Sequence, residues 1–305
     1  MADDEWDMTM RIISGIESSK AMESTLDAVQ QRVSAVIDRP VPMDVLSGRS
    51  VGHPLHPASV QIPLGCWVGA CVLDLAGGQP AKPMARLLVG AGVVSSIPAV
   101  LSGLAEWVHT RDAERRVGAV HAGVNAVAIG LFGVSWWQRR HHGAHGRGAS
   151  LTAMAVVSVG GWLGGHLAYN RGVGVNTTAF LPVARSWTPV APRAQVRAGQ
   201  VVHATMGGVA IAMAELPAQG AHTSPMIVAM ESRCTHRGGP LHEGAVEDGC
   251  IRCPWHGSLF DMVTGEVRRG PASIAQLTYQ TRLVDGQVEV MSDDPGGLRK
   301  SVIAG

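Results

Sequence analysis

The stretch CTHRGGPLHEGAVEDGCIRCPWHGSLF, residues 234–260, contains two closely spaced pairs of one cysteine and one histidine. One residue separates the partners of the first pair, and two residues separate those of the second. Two thiolates on one iron and two imidazoles on the other make a [2Fe–2S] centre, and the imidazoles raise its reduction potential. A tight turn at each pair would let each loop give one ligand to each iron. The pattern therefore indicates one-electron transfer at an iron–sulfur cluster.

This stretch resembles the two cluster-binding loops of the Rieske [2Fe–2S] ferredoxin-like domain, and the resemblance covers residues 187–293. It implies a C-terminal all-β domain that holds a [2Fe–2S] cluster. On the pattern of that family, Cys234 and Cys253 bind one iron, and His236 and His256 bind the other. The resemblance thus identifies four predicted metal ligands.

The resemblance also implies which residues surround the cluster, because hydrogen bonds to its sulfurs tune the reduction potential. The hydroxyl of Ser258, which follows the second His-Gly pair, would donate to a cluster sulfur. High-potential respiratory members carry an extra cysteine in each loop, and these two cysteines form a disulfide. Gly239 and Trp255 stand at those positions here, so we expect a lower potential than in the respiratory type. The residues predicted around the cluster are Gly238, Pro254, Trp255 and Ser258.

A tetrahedral zinc site is the alternative for the same residues, because two cysteines and two histidines also suit Zn²⁺. Zinc fingers usually pair cysteine with cysteine and histidine with histidine along the chain. The order here differs, which favours the cluster. Cys250 lies three residues before Cys253 and has the spacing of a C-x-x-C ligand. The favoured interpretation is a half-buried thiol on the strand that enters the second loop.

The composition indicates a membrane domain ahead of the cluster domain. Only 16% of the 305 residues are charged, whereas soluble domains have about 25%. The net charge of +1 gives no indication of nucleic-acid binding. Four apolar segments are each long enough, at about 20 residues, to cross the hydrocarbon core of a bilayer as a helix. These segments are 62–78, 84–108, 117–137 and 151–169.

The GHPLHP motif at residues 52–57, with the HAGVN stretch at 121–125, resembles a family of four-helix bacterial membrane domains, the DUF2231 family. This resemblance covers residues 50–172 and implies a protein of the bacterial inner membrane, in contact with lipid. The third and fourth segments have no polar face, which argues against a soluble four-helix bundle. The predicted fold is a membrane α-helical bundle of four transmembrane helices plus a C-terminal all-β Rieske domain.

The domain organisation follows from these two regions. Apolar residues at near-helical spacing predict an amphipathic helix from residue 12 to residue 37, within a polar N-terminal segment. The predicted parts are the N-terminal segment 1–50, the transmembrane domain 51–172, a linker 173–186, the Rieske domain 187–293 and a tail 294–305.

Several titratable side chains are predicted to gather toward one membrane face, because successive crossings alternate in direction. Two imidazoles from different helices would ligate a haem b, or a quinol would bind between them. The alternative is that these are tolerated interfacial histidines. A di-iron site is disfavoured because a second Glu-x-x-His is missing. The set consists of His53, His56, Glu106, His109, His121 and His166.

The opposite face carries two further features. Asp74 lies toward this face, and we expect it to pair with Arg86 or Lys82, its near neighbours at that end. The loop at 138–148 is rich in arginine and histidine, including His142 and His145. A basic solvated loop is the favoured interpretation, and a zinc-binding tract is the alternative.

The favoured function is single-electron transfer by a membrane-anchored Rieske protein, between a quinone or haem partner and a redox partner protein. We expect an electron-transfer component of an oxidoreductase system, acting as a subunit of a complex, rather than a self-contained enzyme. One alternative is a component of a Rieske oxygenase, whose catalytic iron needs two histidines and one carboxylate. Another is a docking protein in which the cluster senses redox state.

The membrane orientation is predicted from the N-terminus, because the arginines and lysines on the two sides do not decide it. A polar N-terminal segment without a signal peptide favours a Rieske domain that faces the cytoplasm. The opposing interpretation takes Arg139-Arg140 as a twin-arginine export signal, which the following residues match poorly.

Overall fold

The computed structural model describes residues 2–141, 146–218 and 224–292. The predicted tail at 294–305 and two histidines of the predicted zinc tract, His142 and His145, lie outside the described residues.

The chain divides into two compact units. The first, called the helical unit, comprises Met1–Gly48 and Pro54–Val173. The second, called the β unit, comprises Arg49–His53 and Gly174–Gly305. The short segment before the first apolar helix therefore groups with the β unit, where Arg49 Nη1 donates a hydrogen bond to the carbonyl oxygen of Val267 (3.1 Å).

The helical unit contains eight α-helices among its described residues. Their bounds are α1 Ala2–Ser18, α2 Glu23–Ile37, α3 Pro40–Leu46, α4 Leu55–Ser59, α5 Gln61–Ala76, α6 Lys82–Trp107, α7 Asp112–His141 and α8 Arg147–Gly165.

Four helical stretches are long and apolar enough to cross a membrane, which confirms the four predicted segments. They are Leu55–Ala76, Gln79–Trp107, Asp112–His141 and Arg147–Asn170. Many of their large apolar side chains are exposed in the isolated chain, as expected for helices that face lipid. Their shared core contains the stacked rings of Trp67 and Phe132, whose centroids lie 4.2 Å apart. Gly92 makes room there, because a Cβ at this position would overlap the Trp67 indole.

The N-terminal segment forms two helices, α1 and α2, instead of the single helix predicted over residues 12–37. Ser19 has an extended backbone and is followed by a short 3-10 turn, Lys20–Met22, which interrupts the helix. Ion pairs join both of these helices to residues at the ends of the long helices. Glu17 of α1 accepts hydrogen bonds from Arg171 Nε (2.8 Å) and His166 (2.9 Å). The hydrogen bond from Arg171 lowers the pKa of Glu17.

Asp74 pairs with Arg139, so the predicted pairing with Arg86 or Lys82 was wrong. The two side chains form a bidentate ion pair, with Nη1–Oδ1 at 2.8 Å and Nη2–Oδ2 at 2.5 Å. Arg139 also donates to Ser135 Oγ (3.1 Å) and Ser150 Oγ (3.0 Å). The third predicted segment ended at residue 137, but α7 continues to His141. Arg139 is therefore inside the bundle instead of in a loop.

The described residues of the β unit form ten antiparallel strands in two sheets. The larger sheet has the order β1-β10-β9-β4-β3-β2 and the smaller has the order β5-β6-β7-β8. The strands are β1 Thr188–Pro192, β2 Val202–Met206, β3 Val209–Leu216, β4 Met226–Glu231, β5 Ala245–Glu247, β6 Cys250–Arg252, β7 Leu259–Asp261, β8 Val267–Arg269, β9 Thr278–Val284 and β10 Gln287–Ser292.

Alternating side chains of β3 contribute to two different cores. Ile211 and Met213 belong to the core that the larger sheet forms with Val288 and Val290. Ala212 and Ala214 belong to a second core, which also contains the buried side chain of Phe260. Because residues along a strand alternate between its faces, β3 is covered on both sides. The second core includes Cys234 and Cys253, so the smaller sheet and its loops rest directly on it.

The Asp74–Arg139 pair gives a test of the helical unit. The Asp74→Ala variant leaves the Arg139 guanidinium buried without its carboxylate, since the two side chains are only 5% and 6% exposed. Loss of one partner of a buried pair costs about 3–5 kcal/mol. We expect the thermal unfolding midpoint of the detergent-purified protein to fall by several degrees, as measured by the helical circular dichroism signal.

The matched control is Glu247→Ala, which removes the acid of an exposed pair with Arg252 and should leave the midpoint unchanged. Equal midpoints for the Asp74 variant and the unmodified chain would contradict the structural role of the pair.

Candidate iron–sulfur centre

Two tight loops present the four predicted ligands. In the first loop, which follows β4, Cys234 N–H donates to the Gly239 carbonyl (2.9 Å) and Gly238 N–H donates back to the Cys234 carbonyl (2.8 Å). In the second loop, between β6 and β7, Cys253 N–H donates to the Ser258 carbonyl (2.8 Å). Gly238 has φ +76, a conformation that favours glycine. Each loop therefore folds its cysteine and histidine into one compact turn.

The two loops bring like side chains together. The Cys234 thiol is hydrogen-bonded to the Cys253 sulfur, and both cysteines are buried. The rings of His236 and His256 lie with their centroids 5.3 Å apart and nearly perpendicular. A centre in which one iron takes two thiolates and the other takes two imidazoles needs this sorting of donors.

The surroundings of Cys253 favour thiolate, the form that binds metal. The pKa of Cys253 is lowered to about 6, chiefly because its sulfur accepts a hydrogen bond from the Cys234 thiol. The backbone N–H groups of Trp255 and His256 also donate to this sulfur. The pKa of Cys234 is raised, because its thiol donates to Cys253 and because it is buried. Two buried sulfurs supplied with backbone donors fit the donor set of a [2Fe–2S] cluster, for which these loops would provide two thiolates and two imidazoles.

Ser258 is completely buried beside the second loop. Its Oγ accepts a hydrogen bond from the backbone N–H of Ala272 (3.0 Å). The hydroxyl proton is therefore available to donate elsewhere, as a bond to a cluster sulfur would require. Phe260 is also fully buried and supports the loop from the core below.

Close packing between the loops takes place at Gly239. A Cβ at this position would lie 2.8 Å from Cys253 Sγ and 3.1 Å from Trp255 Cγ. The two positions at which respiratory members carry disulfide cysteines are thus in direct contact here, with a glycine backbone against an indole ring. Trp255 itself is 52% exposed, so this ring also forms part of the protein surface beside His256.

Some residues that fix the first loop were not found from the sequence. Thr235 Oγ1 donates to the Ile274 carbonyl (2.8 Å), and Gln276 Nε2 donates to the Arg233 carbonyl (2.8 Å). Thr177, within the predicted linker, donates through its hydroxyl to the Cys234 carbonyl (2.8 Å). These partners are 39 to 57 residues apart along the chain, and no local pattern marks them.

Cys250 is a half-buried free thiol at the first position of β6, as the sequence predicted. Burial raises its pKa. Its register partner across the sheet is Asp261 of β7.

The residues that were predicted to gather at one membrane face do not form a single cluster. His56 of α4 and His121 of α7 have ring centroids 6.5 Å apart. His109 Nε2 instead lies 3.7 Å from Oδ1 of Asp38, the residue that follows α2, and His109 Nδ1 is 3.2 Å from the Ala105 carbonyl. His166 contacts Glu17 of α1. The pairing with N-terminal helices was not expected from the sequence.

His53 and Glu106 complete the predicted set. His53 belongs to the β unit, whereas Glu106 is near the end of α6. Within residues 2–141, 146–218 and 224–292, no three His, Cys, Asp or Glu side chains are grouped so that they could hold one metal ion. A [2Fe–2S] centre asks for only two protein ligands at each iron.

Comparison with known proteins identifies both regions. The sequence model of the Rieske [2Fe-2S] domain matches residues 186–280. The model of a predicted membrane protein family, DUF2231, matches residues 52–177.

Curated ferredoxins are similar to the β unit. The anthranilate 1,2-dioxygenase ferredoxin subunit of Burkholderia cepacia is 45% identical over 64 residues, which are 21% of this chain and 59% of the ferredoxin. Ferredoxin CarAc of Metapseudomonas resinovorans is 31% identical over 65 residues, 21% of this chain and 61% of that protein. This chain therefore spans about six tenths of the length of these relatives. Among solved structures, the ferredoxin of Sphingomonas yanoikuyae B1 is 26% identical, with a TM-score of 0.30, and the match covers 35% of this chain and 99% of that one.

The matches agree with the two loops and with the four apolar helices. A Rieske domain implies a [2Fe–2S] cluster, and a DUF2231 region with four apolar helices suggests membrane association. The chain therefore combines a DUF2231 domain at residues 52–177 with a Rieske [2Fe–2S] electron-transfer domain of the ferredoxin type at residues 186–280.

Proposed function

We propose that this protein is a membrane-anchored electron-transfer component whose [2Fe–2S] cluster is bound by Cys234, Cys253, His236 and His256. The observation that carries the proposal is the sorting of donors across the two loops. The cysteine sulfurs are hydrogen-bonded to each other, and the imidazole rings lie 5.3 Å apart. One iron would take the sulfurs, and the other would take the rings.

The burial of the ligands indicates where electrons enter and leave. Both cysteines are buried, whereas His236 and His256 are half-buried. A bound cluster supplies a single electron as one iron changes its oxidation state. The imidazole side is the more accessible one, and the exposed indole of Trp255 lies beside it, with its ring centroid 6.4 Å from that of His256. A redox partner protein would dock on this side.

The similar ferredoxins and the apolar helices each support one class of redox partner. One of the similar ferredoxins is a subunit of anthranilate 1,2-dioxygenase, which supports an oxygenase or another soluble redox protein as one partner. The apolar helices support a quinone or a haem protein of the membrane as the other partner. The proposed location is the bacterial inner membrane, with the Rieske domain on the cytoplasmic side and the chain as a subunit of a larger complex.

The ligand assignment is tested by a matched pair of substitutions. The His256→Ala variant removes one imidazole, so we expect loss of the visible absorption and of the EPR signal of the reduced cluster, with a matching fall in bound iron and acid-labile sulfide. The Cys250→Ser variant changes the thiol three residues before Cys253, and we expect both signals to be retained. Circular dichroism checks that both variants keep their strands.

The opposite pattern would refute the assignment. A cluster signal that persists in the His256 variant would mean that this imidazole is not a ligand. A signal lost in the folded Cys250 variant would place Cys250 in the ligand set. One zinc ion per chain without iron would support the tetrahedral alternative.

Substitution of Ser258 tests the proposed cluster site a second time, through the reduction potential of the cluster. The hydroxyl would donate to a cluster sulfur and stabilise the more negative, reduced form. A hydrogen bond to a charged group is worth about 1.5 kcal/mol or more, and about 60 mV corresponds to a tenfold change for one electron. We expect Ser258→Ala to lower the reduction potential by about 60 mV in an EPR-monitored redox titration, with the cluster content unchanged.

The control for this measurement is Ser292→Ala, since Ser292 is buried in β10 of the larger sheet. Its potential should equal that of the unmodified chain. Equal potentials for the Ser258 variant and the unmodified chain would show that the hydroxyl does not contact the cluster.

A further inference from the structure

Two histidines of the helical unit lie opposite each other on different helices. His56 is in α4 and His121 is in α7, and 65 residues separate them along the chain. Their ring centroids are 6.5 Å apart, and the ring planes are 80° apart. Both side chains are half-buried. The pair lies within a bundle of apolar helices, the kind of interior in which cofactors are held between facing helices.

The hydrogen bonds of the two rings determine which nitrogen is available. His56 Nδ1 lies 2.8 Å from the Ala99 carbonyl oxygen, and His121 Nδ1 lies 2.9 Å from the Gly160 carbonyl oxygen. A carbonyl only accepts hydrogen bonds, so each Nδ1 carries the proton and donates it. In the neutral ring, Nε2 then has the lone pair. Histidines that bind metals show this arrangement, with the other ring N–H donated to a carbonyl or carboxylate.

Asn125 lies beside the ring of His121. Its Nδ2 donates to the His121 backbone carbonyl at 2.8 Å. The same atom is 3.3 Å from His121 Nδ1 and 3.4 Å from His121 Nε2, and both distances are beyond the usual length of a hydrogen bond from an N–H group. The lone pair of His121 Nε2 is therefore available to a ligand.

The separation of the rings matches coordination of one metal ion from two opposite sides. A metal–imidazole bond is about 2.0–2.1 Å long, and the nitrogen lies about 1.2 Å from the ring centroid, so two opposed imidazoles hold their centroids about 6.5 Å apart. The observed distance is 6.5 Å. Glycines allow the rings to sit there, because a Cβ at Gly103 would be 2.9 Å from His56 Cε1 and one at Gly164 would be 3.1 Å from His121 Cε1.

The number of protein ligands identifies the class of cofactor. A zinc ion needs four donors, and the part of the chain that the structure describes offers no cluster of three or more His, Cys, Asp or Glu for a metal. A haem brings four equatorial nitrogens of its own and takes only axial ligands from the protein. The sequence contains no C-x-x-C-H for covalent attachment. We infer that His56 and His121 are the two axial ligands of a non-covalently bound haem.

The experiment uses the full chain, produced with a supply of haem precursor and purified in detergent. The unmodified protein should show the Soret and α bands of a six-coordinate haem, with about one haem per chain by the pyridine haemochromogen assay. His56→Ala and His121→Ala should each lower the haem content about tenfold or more. The matched control is His141→Ala, an exposed histidine of the same helix as His121, which should keep its haem.

A second variant separates ligation from a structural role. In His121→Gly, imidazole added to the buffer should restore the six-coordinate spectrum, because it replaces the missing ligand in the space that the side chain leaves. A histidine that only supports packing would give no such recovery. The EPR signal of the reduced cluster, read in the same samples, shows whether the chain is folded, and it tests the Rieske ligands separately from the haem.

Three results would overturn the inference. The first is an unmodified protein whose spectrum does not change when it is titrated with excess haem. The second is unchanged haem content in both alanine variants. The third is a stoichiometric metal ion, such as copper or zinc, that depends on these histidines while no haem is bound.

Discussion

The contact between the two cysteine–histidine loops is the constraint on which the β unit depends. Cys234 and Cys253 meet in the second core, beneath the smaller sheet, and the backbone of Gly239 packs directly against Cys253 and Trp255. A side chain at Gly239 would separate these groups. The like donors can be sorted into a sulfur pair and an imidazole pair only while the two loops stay this close. The sheets, the buried Ser258 and the hydrogen bonds from Thr177 and Thr235 all hold that approach.

Sequence alone predicts those parts of the structure that local patterns encode. The one- and two-residue spacings within the cysteine–histidine pairs are local, and so are the apolar runs of the four helices. The hydrogen bonds of Thr235 and Gln276 to segments about forty residues away are set by tertiary packing. The Asp74–Arg139 pair was missed for the same reason, since the length of α7 decides whether Arg139 lies in a loop or in the bundle.

The helical unit places its polar groups at defined points of an apolar bundle. One buried ion pair joins α5 to α7, whereas the charges of Glu17 and Glu23 tie the N-terminal helices to the ends of α7 and α8. Buried charges are tolerated when they are paired and hydrogen-bonded. His166 contacts Glu17 and His109 lies near Asp38, whereas the Nδ1 atoms of His56 and His121 face backbone carbonyls.

In the proposed function, two sulfurs and two imidazoles hold the cluster. Its most direct test is electron–nuclear double resonance on the reduced full-length protein, grown with ¹⁵N-labelled histidine. Two resolved ¹⁵N couplings of metal-bound histidine nitrogens are predicted on the cluster signal. A cluster signal without histidine couplings, or a protein that holds zinc and gives no signal, would contradict the account.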